Sequence, residues 1–227
     1  MGEPLKAVLF DLDNTLTDRT KSIAKYSEIF LEDFRCQLVE PVTSAWLVDK
    51  ILTVDQGGYG GHEHRCHLLS ELPIWKKTPT PESLLAHWFS HFPHCPVAME
   101  GLYDMLEALK RKGLKLGVIT NGKDHVQRAK ISALNIESYF DCIVTSGEVG
   151  IKKPAAEIFH LAVGKLGLNA EEVVYLGDHP INDYYGAYHA GLKAIWLEGY
   201  LPWPSGVVQS SSTIKGLSEI VPLVFKK

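Results

Sequence analysis

The strongest constraint on the fold of this chain is a regular alternation, from Met99 to Leu197, of short apolar runs with segments of helical period. "GLYDMLEALKRKG" places Leu102, Met105, Leu106 and Leu109 on one helical face, and Gly113 caps it. "LKLGVIT" (Leu114–Thr120) reads as a buried strand, "KDHVQRAKISALNI" as a helix and "FDCIVTS" (Phe140–Ser146) as the next strand. A helix starting at Pro154 follows, with Ile158, Phe159, Ala162, Val163 and Leu166 facing inward. "EVVYLGD", "INDYYGAYHAG" and "LKAIWL" continue the series as strand, helix and strand. Such alternation predicts an α/β fold: a doubly wound parallel sheet with helices on both faces and a ligand site beyond the carboxyl ends of the strands.

One further strand, "AVLF" (Ala7–Phe10), stands far upstream, and the stretch between carries helical patterns without clear strands. "SIAKYSEIFLEDF" lines up Ile23, Tyr26, Phe30 and Phe34, and "SAWLVDKIL" and "SLLAHWF" follow. The expected organisation is therefore an αβ core from residues 1–18 and 96–227, interrupted by a helical insertion over 19–95.

Composition narrows the function. With 227 residues, 45% of them hydrophobic, the chain can bury a sizeable core. A net charge of −4 without a Lys/Arg block argues against nucleic-acid binding, which draws on basic patches. No apolar run reaches the length of a membrane span, and "MGEPLKAVLF" lacks the basic flank and long apolar core of a secretory leader. The four cysteines show no CxxC spacing. A cytoplasmic protein acting on a small molecule, as a monomer or a homodimer, is the expectation.

The chemistry concentrates at the predicted strand ends. Asp11 and Asp13 follow the first strand, and alternation would project both to one side. A divalent cation would relieve their repulsion, and hard oxygen ligands suit magnesium. Thr120, Asn121 and Gly122 end the second core strand, where a hydroxyl and backbone N–H groups can donate to phosphate oxygens. Lys153, before Pro154, could neutralise a phosphate or a carboxylate. Asp178 follows another strand, and Asp183 lies near a helix start, where it could bind metal or cap the helix.

Taken in order, "DLDNTLTD", "ITNG", Lys153 in "KKPAAEIF" and "GDHPIND" resemble the four motifs of the haloacid dehalogenase (HAD) superfamily of hydrolases. The last motif with "GAYHAGLKAIWL" looks most like its small-metabolite phosphatases. The resemblance implies a Rossmann-like core with an inserted helical cap over 19–95. It makes Asp11 the nucleophile of an aspartyl-phosphate route and Asp13 the general acid and base. It implies Mg2+ held by Asp11, the backbone carbonyl of Asp13, and Asp178. Thr120 and Lys153 would stabilise the phosphoryl oxygens, and Asp183 would reach the metal or orient Lys153.

The same core residues serve sugar-phosphate mutases in that superfamily. Its dehalogenases look different at the second aspartate, so Asp13 favours phosphate transfer. Sugar phosphates, phosphoglycolate and nucleotides all remain open as substrates. A non-catalytic binding or regulatory protein on the same fold is the alternative of a different class. In the insertion, "DQGGYGGHEHRCH" marks Tyr59, His62 and Arg65 as specificity candidates. Its His62, His64, Cys66 and His67 also raise a transition-metal reading.

Overall fold

A computed structural model describes residues 4–39, 41–206 and 212–225. The first three residues of the N-terminal stretch discussed above lie outside the described residues. The chain divides into two compact units: residues up to Thr17 together with those from Ala98 onward, and Asp18–Val97.

The first unit is built on a sheet of six parallel strands, β1 (Ala7–Phe10), β2 (Lys115–Thr120), β3 (Cys142–Thr145), β4 (Val173–Gly177), β5 (Lys193–Leu197) and β6 (Thr213–Ile214), in the order β3-β2-β1-β4-β5-β6. β1 lies at the centre, with Phe10 level with Val118 on one side and Leu176 on the other. A central strand is covered on both faces, which is why "AVLF" has no polar residue and is wholly buried. Val8, Phe10, Leu116, Val118 and Leu176 join the Leu102–Arg111 helix on one face. Ala7, Leu9, Ile119 and Tyr175 join the Ala156–Leu166 helix on the other. The winding reverses between β1 and β4, so a crevice opens where Asp11 and Asp178 emerge.

Three local features differ from expectation. The helix expected from Pro154 begins at Ala156, after a turn closed by the Ala155 N–H on the Lys152 carbonyl. "INDYYGAYHAG" is not one helix but a π-helical turn, Pro180–Tyr185, followed by Gly186–His189. β6 is two residues long, too short to show a periodicity.

The second unit holds the helices Arg19–Asp33, Ser44–Asp55, His62–Ser70 and Pro81–His91. Asp18, Thr43 and Thr80 cap three of them, each side chain accepting a first-turn N–H. Ile23, Tyr26, Phe30, Leu47, Ile51, Leu84, Trp88 and Phe92 form its core. Among the described residues, no helix is long and apolar enough to cross a membrane, and all four cysteines are free thiols.

Candidate active site

β1 ends at Phe10, one residue before the first acid, yet the Asp11 N–H continues the ladder onto the Leu176 carbonyl at 2.9 Å. The chain then turns through Asn14, whose φ of 58° is a left-handed conformation that asparagine tolerates better than most residues. Strand alternation therefore does not govern Asp11 and Asp13. The turn sends them to different partners.

Asp11 is buried, and its Oδ1 accepts from Lys153 Nζ at 2.6 Å. That ammonium also donates to Asp183 Oδ1 at 2.6 Å and to the Tyr175 hydroxyl at 2.9 Å. The Tyr175 hydroxyl lies 3.1 Å from both Asp183 Oδ1 and the Ile119 carbonyl, so its single proton serves one of them. Asp183 Oδ2 accepts the His179 N–H at 2.9 Å, which pins the start of the π-helical turn. Gly177 permits this approach, because a Cβ there would sit 2.4–2.5 Å from Asp183 side-chain atoms.

Asp13 has different partners. Its Oδ1 and Oδ2 accept from Lys130 Nζ at 2.9 and 2.7 Å, and Oδ2 also accepts from Gln127 Nε2 at 3.2 Å. Gln127 in turn reaches Thr120 Oγ1 at 2.6 Å, linking the second acid to the end of β2. Asn121 holds Lys153 by its backbone: the side-chain carbonyl accepts the Lys153 N–H at 2.9 Å, and the amide donates to the Lys153 carbonyl at 3.1 Å. Gly122, expected to offer its N–H to a phosphate, donates it to Ser146 Oγ at 2.9 Å instead, because the β3 end lies against that turn.

Oxygens of Asp11, Asp178 and Asp183 lie within 4.8 Å of one another. The Asp13 carboxylate stands outside that group, so its place in a metal site rests on its backbone carbonyl. Burial is the main influence pushing Asp11 up to about 7, against the pull of Lys153 and with the added repulsion of Asp183 and Asp13. Burial, then the charges of Asp183 and Asp11, lifts Asp178 well above the carboxylate range. Three acids lie together with one ammonium, which pairs with Asp11 and Asp183, and Asp178 Oδ2 is buried with no hydrogen bond reaching it. An oxygen-lined cluster with surplus negative charge and an orphaned carboxylate oxygen fits a small divalent cation such as magnesium.

Gln127, Lys130 and Tyr175 went unread in the sequence. Gln127 and Lys130 are buried polar residues one helical turn apart in the Asp124–Ala133 helix, beside the inward-facing Val126 and Ile131. Tyr175 is a tyrosine in a fully buried strand, where its hydroxyl requires a partner.

In the helical unit, Tyr59 and His62 are exposed, whereas Arg65, a candidate for facing the pocket, is buried. Its guanidinium is buried over the Trp88 ring at 3.6 Å, with Nη1 donating to Asp55 at 2.6 Å and Nη2 against His62 at 2.8 Å. His64 is exposed, His67 pairs with Glu71, and Cys66 is buried, so those side chains do not converge as ligands.

A family model described as haloacid dehalogenase-like hydrolase matches residues 8–197. A glyceraldehyde 3-phosphate phosphatase of Methanocaldococcus jannaschii is 31% identical over 97% of this chain and 97% of its own length. The N-acylneuraminate-9-phosphatase of Homo sapiens is 29% identical over 90% of this chain and 88% of its own. Among solved structures, the HAD-hydrolase YfnB from Bacillus subtilis, bound to magnesium, shares the fold with a TM-score of 0.80 at 20% identity. It covers 99% of this chain and all of that one.

Proposed function

Because this chain belongs to the haloacid dehalogenase-like hydrolases, we propose that it is a magnesium-dependent phosphatase that releases phosphate from a small phosphorylated metabolite. The observation that carries the reading is the difference in surroundings of the two acids. Asp11 sits in the buried cluster with its orientation set by Lys153, while Asp13 is held by Lys130 and Gln127. A nucleophile and a proton-transfer group need that difference in surroundings.

In the first step an Asp11 oxygen bonds to phosphorus as the ester P–O bond breaks, and Asp13 gives the departing alkoxide a proton. In the second, Asp13 takes a proton from water, the water oxygen bonds to phosphorus, and the Asp11–phosphorus bond breaks. Phosphate leaves, with Asp11 again a carboxylate and Asp13 again carrying its proton. Lys153 and the Thr120 hydroxyl offset charge on the phosphoryl oxygens, and Asn121 keeps the Lys153 backbone in place. Magnesium, when bound by Asp11, Asp178 and the backbone carbonyl of Asp13, supplies charge neutralisation, with Asp183 fixing Lys153.

The full-length relatives named for sugar phosphates support a phosphorylated carbohydrate as substrate, with the phosphoglycolate and nucleotide classes behind it. We assign substrate choice to a helical cap formed by the second unit, in which Tyr59 and His62 are exposed. The free thiols support a reducing cytoplasmic setting, with the chain working as a monomer or homodimer. A phosphate-release screen over triose, hexose and acidic sugar phosphates tests this reading. Turnover should require Mg2+ and vanish in Asp11→Asn. Activity undiminished by EDTA, or retained in that variant, would refute it.

A further inference from the structure

Within the helical unit, two helix ends bring together a second set of ligand-type side chains, remote in chemistry from the carboxylate cluster. Asp33 is the last residue of the Arg19–Asp33 helix, and His91 is the last of Pro81–His91. His87 and His91 stand one turn apart on the same helix face, the spacing by which helical histidine pairs hold a metal. Both Nε2 atoms are directed at one oxygen, Asp33 Oδ2, at 3.0 Å from His87 and 3.7 Å from His91. The rings lie 4.3 Å apart at 30°. One ligand atom from each of the three residues falls within 4.8 Å of the others.

The remaining nitrogen of His87 is also placed as a metal-bound imidazole requires. Its Nδ1 lies 2.9 Å from the hydroxyl of Tyr26, which is buried. When Nε2 offers its lone pair outward, Nδ1 carries the proton, and a tyrosine oxygen accepts it as readily as its O–H donates in the other tautomer. Phe30 and Phe34 flank the His87 ring at 5.7 and 5.0 Å and fix its plane. The His87 side chain is 10% exposed while Asp33 and His91 are 45% and 38% exposed, so an ion can enter from solvent without unfolding the unit.

We propose that Asp33, His87 and His91 form a binding site for a divalent transition metal ion, zinc being the best match, that staples the ends of these two helices. Two imidazoles and a carboxylate suit zinc, cobalt or nickel, whereas magnesium prefers an all-oxygen set. Three protein ligands leave a fourth position for water on the exposed side. The site is independent of the phosphatase reading and would stand if that reading fell.

The test uses the full-length protein held in saturating Mg2+, which occupies oxygen-only sites. Cobalt(II) is titrated and followed by its visible absorption, with Zn2+ competition and thermal unfolding in parallel. Wild type should take up one equivalent of Co2+, yield it to Zn2+, and unfold at a higher temperature with Zn2+ present. His91→Ala and Asp33→Asn alter exposed side chains, so the fold should persist by circular dichroism. Each should weaken Co2+ uptake at least about tenfold and abolish the Zn2+ stabilisation. His67→Ala should change neither. No uptake by wild type, uptake undiminished in both site variants, or uptake lost in His67→Ala would overturn the proposal.

Discussion

The two units each bury a cluster of charges, and the clusters are built to opposite ends. In the helical unit, Asp55 is fully buried. Its Oδ2 accepts Arg19 Nε at 2.7 Å, and its Oδ1 accepts Arg19 Nη2 at 2.8 Å and Arg65 Nη1 at 2.6 Å. The aromatic faces of Trp88 and Phe92 take up the remaining guanidinium surface, at 3.6 and 5.1 Å. Burial pulls the Arg65 pKa down and Asp55 restores part of it. In the αβ unit, Asp11 and Asp183 share Lys153, and beside them one oxygen of Asp178 is left without a bond. The first cluster sets two guanidinium groups on one carboxylate, with Arg65 Nε left unbonded, and ties helices together. The second remains short of positive charge, which a bound divalent cation would supply.

The comparison breaks most visibly at Asp55. Asp55→Ala should destabilise the protein by about 3–5 kcal/mol, because two guanidinium groups would stay buried without their counter-ion. Denaturant unfolding measures this. A loss under about 1 kcal/mol would mean water or another acid replaces it.

Next comes Lys130, which belongs to neither buried cluster but orients Asp13. Lys130→Ala should lower kcat about 10–100-fold with KM little changed. A change confined to KM would instead make Lys130 a substrate-binding group.

A smaller effect of opposite sign is expected at Asp178. Removing a buried carboxylate that has no balancing charge should stabilise the metal-free fold while abolishing turnover. Asp178→Asn should raise Tm by about 2–4 °C in EDTA and lose the further rise that Mg2+ gives wild type. The pH dependence sharpens this. Asp11 is raised in the folded state to about 7, so the stability it contributes below 3.8 is lost as pH rises through 7. Metal-free wild type should therefore lose Tm across that window, and Mg2+ should flatten the slope.

The smallest effect concerns Asp141. Partial burial works to raise its pKa, but the Leu116 N–H at 2.8 Å and Lys110 at 3.0 Å leave it lowered on balance. Its contribution is present above 3.8 and disappears as pH falls below that value. Asp141→Asn should cost well under about 1 kcal/mol at pH 7, and that difference should vanish in acid unfolding.

The sheet was legible because its evidence is periodic: "AVLF", "LKLGVIT" and "EVVYLGD" are apolar throughout, as strands buried on both faces must be. Asp11, Lys153 and Asp178 were legible because each stands where such a strand or its following loop ends. Lys130 and Gln127 were not, since a helix carries polar residues on most of its surface and periodicity does not say which of them point to the site. Arg65 was misplaced for the same reason, its partner Asp55 lying ten residues away on another helix. The His87–His91 spacing was visible in "SLLAHWFSHF", but nothing in the sequence tied it to Asp33 at a different helix end.

The most direct test is chemical trapping of the intermediate. Wild-type protein should be mixed with Mg2+ and a turned-over phosphoester, quenched in acid within a turnover, and its peptides weighed. The account predicts one added phosphoryl group on the peptide carrying Asp11, absent from Asp11→Asn and from protein quenched without substrate. A phosphoryl group on any other residue, or turnover with no labelled peptide at any quench time, would contradict it.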